Sequence, residues 1–226
     1  NLKRVQLSPI LQEALDTYGP DRIEQIACDH QHVFGWSIHP YESVFLGERT
    51  EIGGDIGPEL IRRYRKFRIE MNSTDAEPDH IASELLCLSQ LCKRESESIA
   101  NRDGESASEF RKAQNEIIEF HLLRWLPALR SCVLRSKRAL PCALVEQTMS
   151  MVLVHYAKLQ SELAETSSKK VADFLLPVQP SVLENEHSGL REIAEFLASP
   201  ALSGIFLSRD DISNLYSSVS FLSVCT

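Results

Sequence analysis

The sequence has no long hydrophobic run and few aromatic side chains. No stretch approaches the ~18 consecutive apolar residues that a membrane-spanning helix requires. Aromatic residues make up only 7% of the 226-residue chain, so a surface rich in stacking aromatics is not indicated. The N-terminal stretch NLKRVQLSPI also lacks the apolar core of a secretory signal peptide. We therefore expect a cytoplasmic protein.

The six cysteines lack the spacing of metal sites and redox sites. None of them forms a CxxC pair, and no histidine stands at zinc-ligand spacing. Cys87, Cys92 and Cys132 lie among leucine, valine and isoleucine, where a free thiol acts as a small hydrophobic side chain. This usage is typical of a reducing compartment. The cysteines therefore predict neither a metal nor a cofactor.

The chain also has fewer basic than acidic side chains. The chain has 24 Lys and Arg against 32 Asp and Glu, which gives a formal net charge of -8. Because phosphate binding needs clustered lysine and arginine, this balance argues against a broad nucleic-acid-binding surface. The sequence contains no GxSxG nucleophile elbow, no HExxH zinc motif and no GxxxxGK phosphate loop. A cationic partner suits the composition better.

What the sequence does have is helical periodicity along most of its length, with almost no strand-like alternation. It predicts an all-α fold with a single helical bundle over residues 1–166. Residues 167–189, with two prolines and no clear period, are predicted as a linker or hinge. Residues 190–226 supply smaller C-terminal helices, expected to pack on the same domain. The linker would permit helix exchange, so a monomer and a domain-swapped dimer both stay open.

Two stretches before residue 70 differ from their surroundings. HPYESVFLGERTEIGGDIGP contains two prolines and four glycines and is typical of a surface loop. PELIRRYRKFRIEM predicts a short helix that carries the strongest basic cluster, from Arg62 to Arg68. This cluster could contact an acidic partner surface or a cofactor phosphate. A solvated helix face is the simpler interpretation.

The stretch EPDHIASELLCLSQL, residues 77–91, sets charged residues directly before an apolar helix. Asp79 is predicted to cap this helix, and His80 and Glu84 share one helix face because they are four residues apart. A cap and a surface pair account for the spacing. The alternative is a hydrolase or nucleotide-binding enzyme that uses Asp79, His80 and Glu84 as acid and base. No nucleophile, phosphate loop or set of metal ligands accompanies them.

Four stretches, in order along the chain, resemble the TorD/DmsD/NarJ family of redox-enzyme maturation chaperones. They are YESVFLGE (41–48), EPDHIASELLCL (77–88), EFHLLRWLPAL (119–129) and SPALSGIFLSRDDI (199–212). The resemblance implies an all-helical, non-catalytic chaperone of the TorD-like type. Such a protein binds the twin-arginine signal peptide and the apo form of a molybdopterin-containing oxidoreductase, aids cofactor insertion and delays export. Which reductase is the client is not specified by the sequence.

The resemblance also implies a signal-peptide patch at Asp79 and His80, with Glu77 and Glu84 as its acidic surroundings. A twin-arginine peptide carries two guanidinium groups followed by an apolar stretch, so its receptor needs carboxylates beside an apolar groove. His80 would be a hydrogen-bonding or pH-sensitive member of this patch. The alternative for His80 is a buried histidine whose partner is Glu84.

Tyr41, Trp125 and His121 are further candidates for the groove. At helical spacing an aromatic residue is more often part of the core, and a hydrogen-bonded helix histidine is the simpler interpretation of His121. The chain departs from the family pattern at residues 86–88, where Leu-Cys-Leu replaces the usual bulky aromatic. This difference concerns the shape of the groove.

Overall fold

The computed structural model describes residues 8–47, 51–69, 77–164, 182, 185, 187–203 and 205–214. Within these ranges every regular element is helical, and the only strand-like feature is an isolated bridge between Tyr41 and His80. The predicted all-α fold is confirmed. The predicted linker, 167–189, lies outside the described residues except for 182, 185 and 187–189. The division at this linker therefore stays a prediction.

The described helices are mostly short, apart from four in the middle of the chain, which have 13 to 26 residues. They are α1 (Pro9–Asp16), α2 (Arg22–His30), α3 (Glu42–Leu46), α4 (Ile56–Lys66), α5 (Ile81–Ala100), α6 (Gly104–Ile117), α7 (Leu123–Arg135), α8 (Ala139–Ala164), α9 (Leu190–Ala198) and α10 (Pro200–Ser203). Two π-helical turns, Gln31–Ser37 and Ile118–Leu122, follow α2 and join α6 to α7. In the part of the chain described, no helix combines the length and apolarity needed to cross a membrane.

Internal contacts divide the chain into two compact units. The first comprises residues 1–39, 127–151 and 206–226, and the second comprises residues 40–126 and 152–205. The changes from one unit to the other after residues 126 and 151 fall inside α7 and α8.

In the first unit, polar contacts connect α2 to the start of α8. The Asp29 carboxylate accepts hydrogen bonds from the Tyr18 hydroxyl at 2.7 Å and the Arg138 guanidinium at 3.1 Å. After Ser208, residues 209–214 form a further short helix. The Ser208 hydroxyl accepts from the Asp211 amide at 3.2 Å, and the Asp211 carboxylate accepts from the Ser208 amide at 2.9 Å. This reciprocal pair has the arrangement of a capping box.

The core of the second unit lies along the inward face of α5. Cys87 and Leu91 on this face are fully buried, as are Ile117 and Trp125 on the opposing α6–α7 segment. Phe45 of α3 packs on the Trp125 indole with 5.4 Å between the ring centroids. Burial raises the pKa of the Cys87 thiol to about 12, so this cysteine is a hydrophobic core residue, as expected.

The prediction of a surface loop between residues 39 and 58 is wrong for residues 42–46 and for residues 56–58, where α4 begins. Residues 42–46 form helix α3, and Glu42, Ser43, Val44 and Phe45 are all buried in it. The glycines and prolines around this stretch obscured it, because five residues are too few for helical periodicity to be recognised. Pro127 lies inside α7 and does not end that helix.

Substitution of Leu91 tests the importance of the α5 core face. Leu91 is fully buried, whereas Leu86 on the same helix is 40% exposed. Leu91→Ala removes the same atoms as Leu86→Ala but leaves a cavity, so we expect it to lower the free energy of unfolding by about 2–5 kcal/mol. The Leu86→Ala control should cost about 1 kcal/mol or less. Urea denaturation measures both, and equal losses would contradict the assignment of the core face.

Candidate functional site

The start of α5 is capped by a histidine. His80 has extended backbone angles, and its Nδ1 accepts a hydrogen bond from the Ala82 amide at 3.1 Å. The prediction that Asp79 caps this helix is therefore wrong. Because Nδ1 acts as an acceptor, the neutral ring carries its hydrogen on Nε2. The cap thus fixes both the orientation and the tautomer of His80.

Asp79 instead turns inward and is completely buried. Its Oδ2 accepts hydrogen bonds from the Ser43 amide at 3.2 Å, from the Ser43 hydroxyl and from the Gly53 amide at 3.3 Å. The Ser43 hydroxyl oxygen also accepts from the Gly53 amide at 2.9 Å. Three donors on one carboxylate oxygen compensate its lost hydration. Asp79 therefore connects the segment around α3 to the start of α5.

Backbone hydrogen bonds reinforce this connection. The Glu42 amide donates to the Asp79 carbonyl at 2.8 Å, and the Ile81 amide donates to the Pro40 carbonyl at 3.0 Å. These two bonds pair residues 40–42 with residues 79–81 in antiparallel orientation around the Tyr41–His80 bridge. The Tyr64 hydroxyl of α4 donates to the Pro78 carbonyl at 2.8 Å. The start of α5 is thus held from two sides.

Glu84, one turn into α5, is a second fully buried carboxyl group. Its Oε2 lies 3.5 Å from the Trp125 indole nitrogen, which donates a long hydrogen bond. Burial raises the pKa of Glu84 well above its ordinary value, and the nearby Glu42 and Asp79 carboxylates add to this shift. These causes outweigh the Trp125 hydrogen bond, which acts in the opposite direction. Glu84 therefore favours its neutral form.

The third buried carboxylate belongs to α3 and has a histidine partner. Glu42 and His121 are 1% and 3% exposed, and the His121 Nδ1 donates to the Glu42 Oε2 at 2.8 Å. His121 stands in the π-helical turn Ile118–Leu122, which adds a residue to one helical turn. The predicted hydrogen-bonded histidine is confirmed for His121, with Glu42 as its partner. We call Glu42, Asp79, Glu84 and His121 the carboxylate-histidine cluster.

Three polar atoms of this cluster have no hydrogen-bond partner within the described residues. They are Asp79 Oδ1, Glu84 Oε1 and His121 Nε2. A buried polar atom without a partner costs about 1–3 kcal/mol. Well-packed apolar side chains of similar volume often replace such groups without loss of stability. The cluster is therefore not the most stable solution for this core, and this is typical of a functional site.

Three residues that lie close in sequence to Glu42 and Asp79 are more accessible, and we call these residues, Tyr41, Glu77 and His80, the rim. Glu77 is exposed, and the other two side chains are half-buried. The Tyr41 and His80 rings meet edge to face with 4.9 Å between their centroids. Burial raises the pKa of the Tyr41 phenol, as do the nearby negative charges of Asp79 and Glu77. The rim therefore combines two flat rings with one accessible carboxylate.

The seven residues predicted for a signal-peptide patch lie close together in the second unit, but at different depths. Trp125 and His121 are core residues. Asp79 and Glu84 are closed inside the protein, so the expectation that their carboxylates are open to solvent is wrong in this structure. The surface pair predicted for His80 and Glu84 is also wrong, because Glu84 is buried. A role for the seven residues in peptide binding stays a prediction.

Sequence reasoning missed Glu42, Ser43 and Gly53 as parts of this site. All three lie in the stretch interpreted as a loop, and their contacts with Asp79 and His121 span 26 to 79 positions of the sequence. The available signal was the apolar triplet that follows Ser43, which required a buried position for its neighbours.

The geometry gives the enzymatic alternative no support. His80 uses Nδ1 for the helix cap, and the carboxyl groups of Asp79 and Glu84 are shielded from any substrate in solution. The buried Ser43 hydroxyl contacts a carboxylate rather than a histidine. Among the described residues, no three His, Cys, Asp or Glu side chains are grouped so that they could hold a metal ion.

Comparisons with known proteins give the enzymatic alternative no support either. Residues 6–131, more than half of the chain, match the family model described as nitrate reductase delta subunit. A protein from Thauera selenatis, named selenate reductase assembly chaperone protein, is 38% identical over 91 residues. The match covers 39% of this chain and 46% of that relative, so it spans about half of the relative's length. The search of solved structures gave no significant match.

The raised pKa of Glu84 predicts how stability depends on pH. Above pH 4.5, the ordinary value for glutamate, the folded protein holds a proton on Glu84 that the unfolded chain has lost. The contribution of Glu84 to the free energy of unfolding is therefore complete at low pH. It decreases as the pH rises towards the pKa of Glu84 in the folded protein, by at most about 1.4 kcal/mol per pH unit. In Glu84→Gln, which cannot ionise, we expect this decrease to disappear.

Urea denaturation at a series of pH values measures the effect. Glu97→Gln on the same helix is the matched control, since the Glu97 side chain is 60% exposed and lies outside the cluster. It should retain the wild-type pH dependence. A Glu84→Gln profile parallel to the wild-type profile would show that Glu84 is ionised in the folded protein.

Proposed function

Because the chain belongs to the nitrate reductase delta subunit family, we propose that it is an assembly chaperone for a molybdopterin-containing oxidoreductase. The name of the Thauera selenatis relative supports this function, since that protein is described as an assembly chaperone for selenate reductase. The chaperone would act without catalysis, by binding the apo form of its client during cofactor insertion.

We propose further that the chaperone binds the twin-arginine leader of its client in the cytoplasm and so delays export. The rim has the chemistry that such a leader requires. Glu77 offers an exposed carboxylate for a guanidinium group, and the Tyr41 and His80 rings offer faces on which a guanidinium can stack. The net charge of -8 would also favour the approach of a cationic segment.

The single observation that carries this proposal is the connection made by Asp79. Tyr41 stands on the segment before α3, whereas Glu77 and His80 precede α5. Asp79 joins these segments through Ser43, next to the bridge between Tyr41 and His80. We therefore assign Asp79 a positioning role, in which its carboxylate fixes the rim rather than contacting the leader.

This division of roles predicts different effects for two substitutions. Glu77→Gln removes a carboxylate that contacts arginine, so it should weaken binding of a twin-arginine leader peptide by about fivefold, as for an exposed ion pair of about 1 kcal/mol. It should also reduce the preference for this peptide over its Lys-Lys version, since lysine lacks the bidentate fork. Asp79→Asn should weaken binding of both peptides equally and leave the preference intact.

Fluorescence anisotropy with labelled leader peptides measures both quantities. Glu105→Gln, at the exposed start of α6, is the control and should bind like the wild type. If Asp79→Asn abolishes the preference for arginine while Glu77→Gln preserves it, Asp79 itself contacts the guanidinium and the positioning role is wrong. Equal binding of the two peptides by the wild-type protein would refute leader recognition at this site.

A further inference from the structure

A groove on the second unit, separate from the carboxylate-histidine cluster, has the opposite charge. It encloses about 520 Å³ between the end of α4, the middle of α5 and α6. Its lining contains four cationic side chains, two phenylalanines and two glutamates, together with Ser106 and Ala113: Lys66, Arg68, Arg94, Lys112, Phe67, Phe110, Glu109 and Glu116. We call it the cationic groove.

The backbone at one edge of this groove is held in a conformation that rarely suits arginine. Arg68 follows the C-cap of α4 with a φ of 54°. The Ile69 amide donates to the Tyr64 carbonyl at 2.8 Å, and the Arg68 amide donates to the Arg65 carbonyl at 3.0 Å. This is the Schellman motif, in which glycine is the usual residue at the position of Arg68. An arginine there is disfavoured relative to glycine, and Arg102 and Lys137 take the same conformation after α5 and α7.

Arg94 of α5 fastens the same edge from the other side of the groove. Its guanidinium donates to the Phe67 carbonyl at 2.6 Å and to the Arg68 carbonyl. These carbonyls belong to the end of α4, where a positive charge is favourable. The edge is therefore fixed by hydrogen bonds at both the amides and the carbonyls. The side chain of Arg68 is exposed on this rigid support.

The cations of the groove are only partly neutralised. Lys66 pairs loosely with Glu116 at 3.7 Å. Within the described residues, neither the Arg68 side chain nor Lys112 forms an ion pair. Because Lys66 also lines a neighbouring depression with Arg62, Arg63 and Glu59, the positive surface continues along α4. This surface is a local exception in a chain whose net charge is -8.

We propose that the cationic groove binds an acidic segment of another polypeptide, with carboxylates on the cations and large apolar side chains on Phe67 and Phe110. The groove follows α6 from Ser106 to Glu116, a length of about 15 Å. This length accommodates about five residues of extended chain. The site is distinct from the rim, whose proposed ligand is cationic.

Three features favour carboxylates over a phosphate compound. Ser106 lines the groove at the start of α6, and its amide already donates to Asp103 at 3.0 Å, so this helix start has lost a donor for phosphate. The Arg94 guanidinium already donates hydrogen bonds to two backbone carbonyls, so it is less able to form a bidentate contact with phosphate. Glu109 and Glu116 would repel a multiply charged phosphate more strongly than a segment of mixed charge and apolarity.

The test uses a short labelled peptide of glutamates with one phenylalanine and one leucine, titrated into the full chain and followed by fluorescence anisotropy. We expect the peptide to bind, and its counterpart with glutamine in place of each glutamate to bind at least tenfold more weakly. Lys112→Glu should weaken binding of the acidic peptide by about tenfold, because it replaces an attraction by a repulsion. Inorganic pyrophosphate at the concentration of the peptide should not displace it.

Two further variants distinguish a loss of peptide binding from a loss of folding. Arg68→Gly relaxes the backbone at a φ of 54°, so it should leave the urea midpoint unchanged or higher while weakening peptide binding by about fivefold. Lys93→Glu makes the same charge change as Lys112→Glu on an exposed part of α5 outside the groove and should bind like the wild type. Lys112→Glu should leave leader binding unchanged, and Glu77→Gln should leave binding of the acidic peptide unchanged.

The proposal is overturned if the glutamine peptide binds as tightly as the acidic one, or if Lys112→Glu and Lys93→Glu have equal effects. Displacement of the peptide by pyrophosphate would assign the groove to phosphate compounds instead. Leader binding at the rim is measured with a different peptide and different variants. Failure of the proposal for the rim can therefore be distinguished from failure of the proposal for the cationic groove.

Discussion

The carboxylate of Asp79 connects the segment around α3 with the start of α5, which are far apart in sequence. The other features of the site depend on this connection. One oxygen atom accepts hydrogen bonds from the Ser43 amide, the Ser43 hydroxyl and the Gly53 amide. Hydrogen bonds to a charged group typically contribute about 1.5–3 kcal/mol each. The short helix α3 has only five residues and cannot persist by itself, so it depends on this connection together with the contacts of Glu42 with His121 and of Phe45 with Trp125. The position of Tyr41 beside His80 follows from it.

Three carboxyl groups buried close together would repel one another if all were charged, so each charge must be compensated or neutralised in its own way. The charge of Asp79 is compensated by three hydrogen-bond donors, and that of Glu42 by the His121 ring. Glu84 has only a long hydrogen bond from Trp125 and favours the protonated form. Three polar atoms of the cluster have no hydrogen-bond partner in the part of the chain that the structure describes. A core selected for stability alone would not contain it, which is why we connect the cluster with function.

The sequence predicted features that depend on neighbouring residues. Helical periodicity identified α5 and the presence of helices after residue 190, such as α9. It did not predict the inward turn of Asp79, because the partner of that carboxylate lies 36 positions away. The same limit explains why Glu42 was missed, since its histidine partner is 79 positions away. Resemblance to a family pointed to residues that the structure brings close together, but it did not show which of them are accessible.

The two charged surfaces of the second unit suggest a division of labour for a chaperone. The rim offers a carboxylate and aromatic faces to a cationic leader, whereas the cationic groove suits an acidic segment. A client that presents both kinds of segment could be held at two points, and each contact could be weak. Weak contacts release a client readily once it has folded, because tight binding at one site would delay dissociation.

The most direct test of this account is amide hydrogen exchange at Ser43, whose N–H donates to Asp79. We predict that this amide exchanges slowly in the wild-type protein and that Asp79→Ala accelerates its exchange, while the buried amide of Leu91 in α5 keeps its protection. If the Ser43 amide exchanges at the same rate in both proteins, Asp79 does not hold α3 and the proposed basis of the rim is wrong.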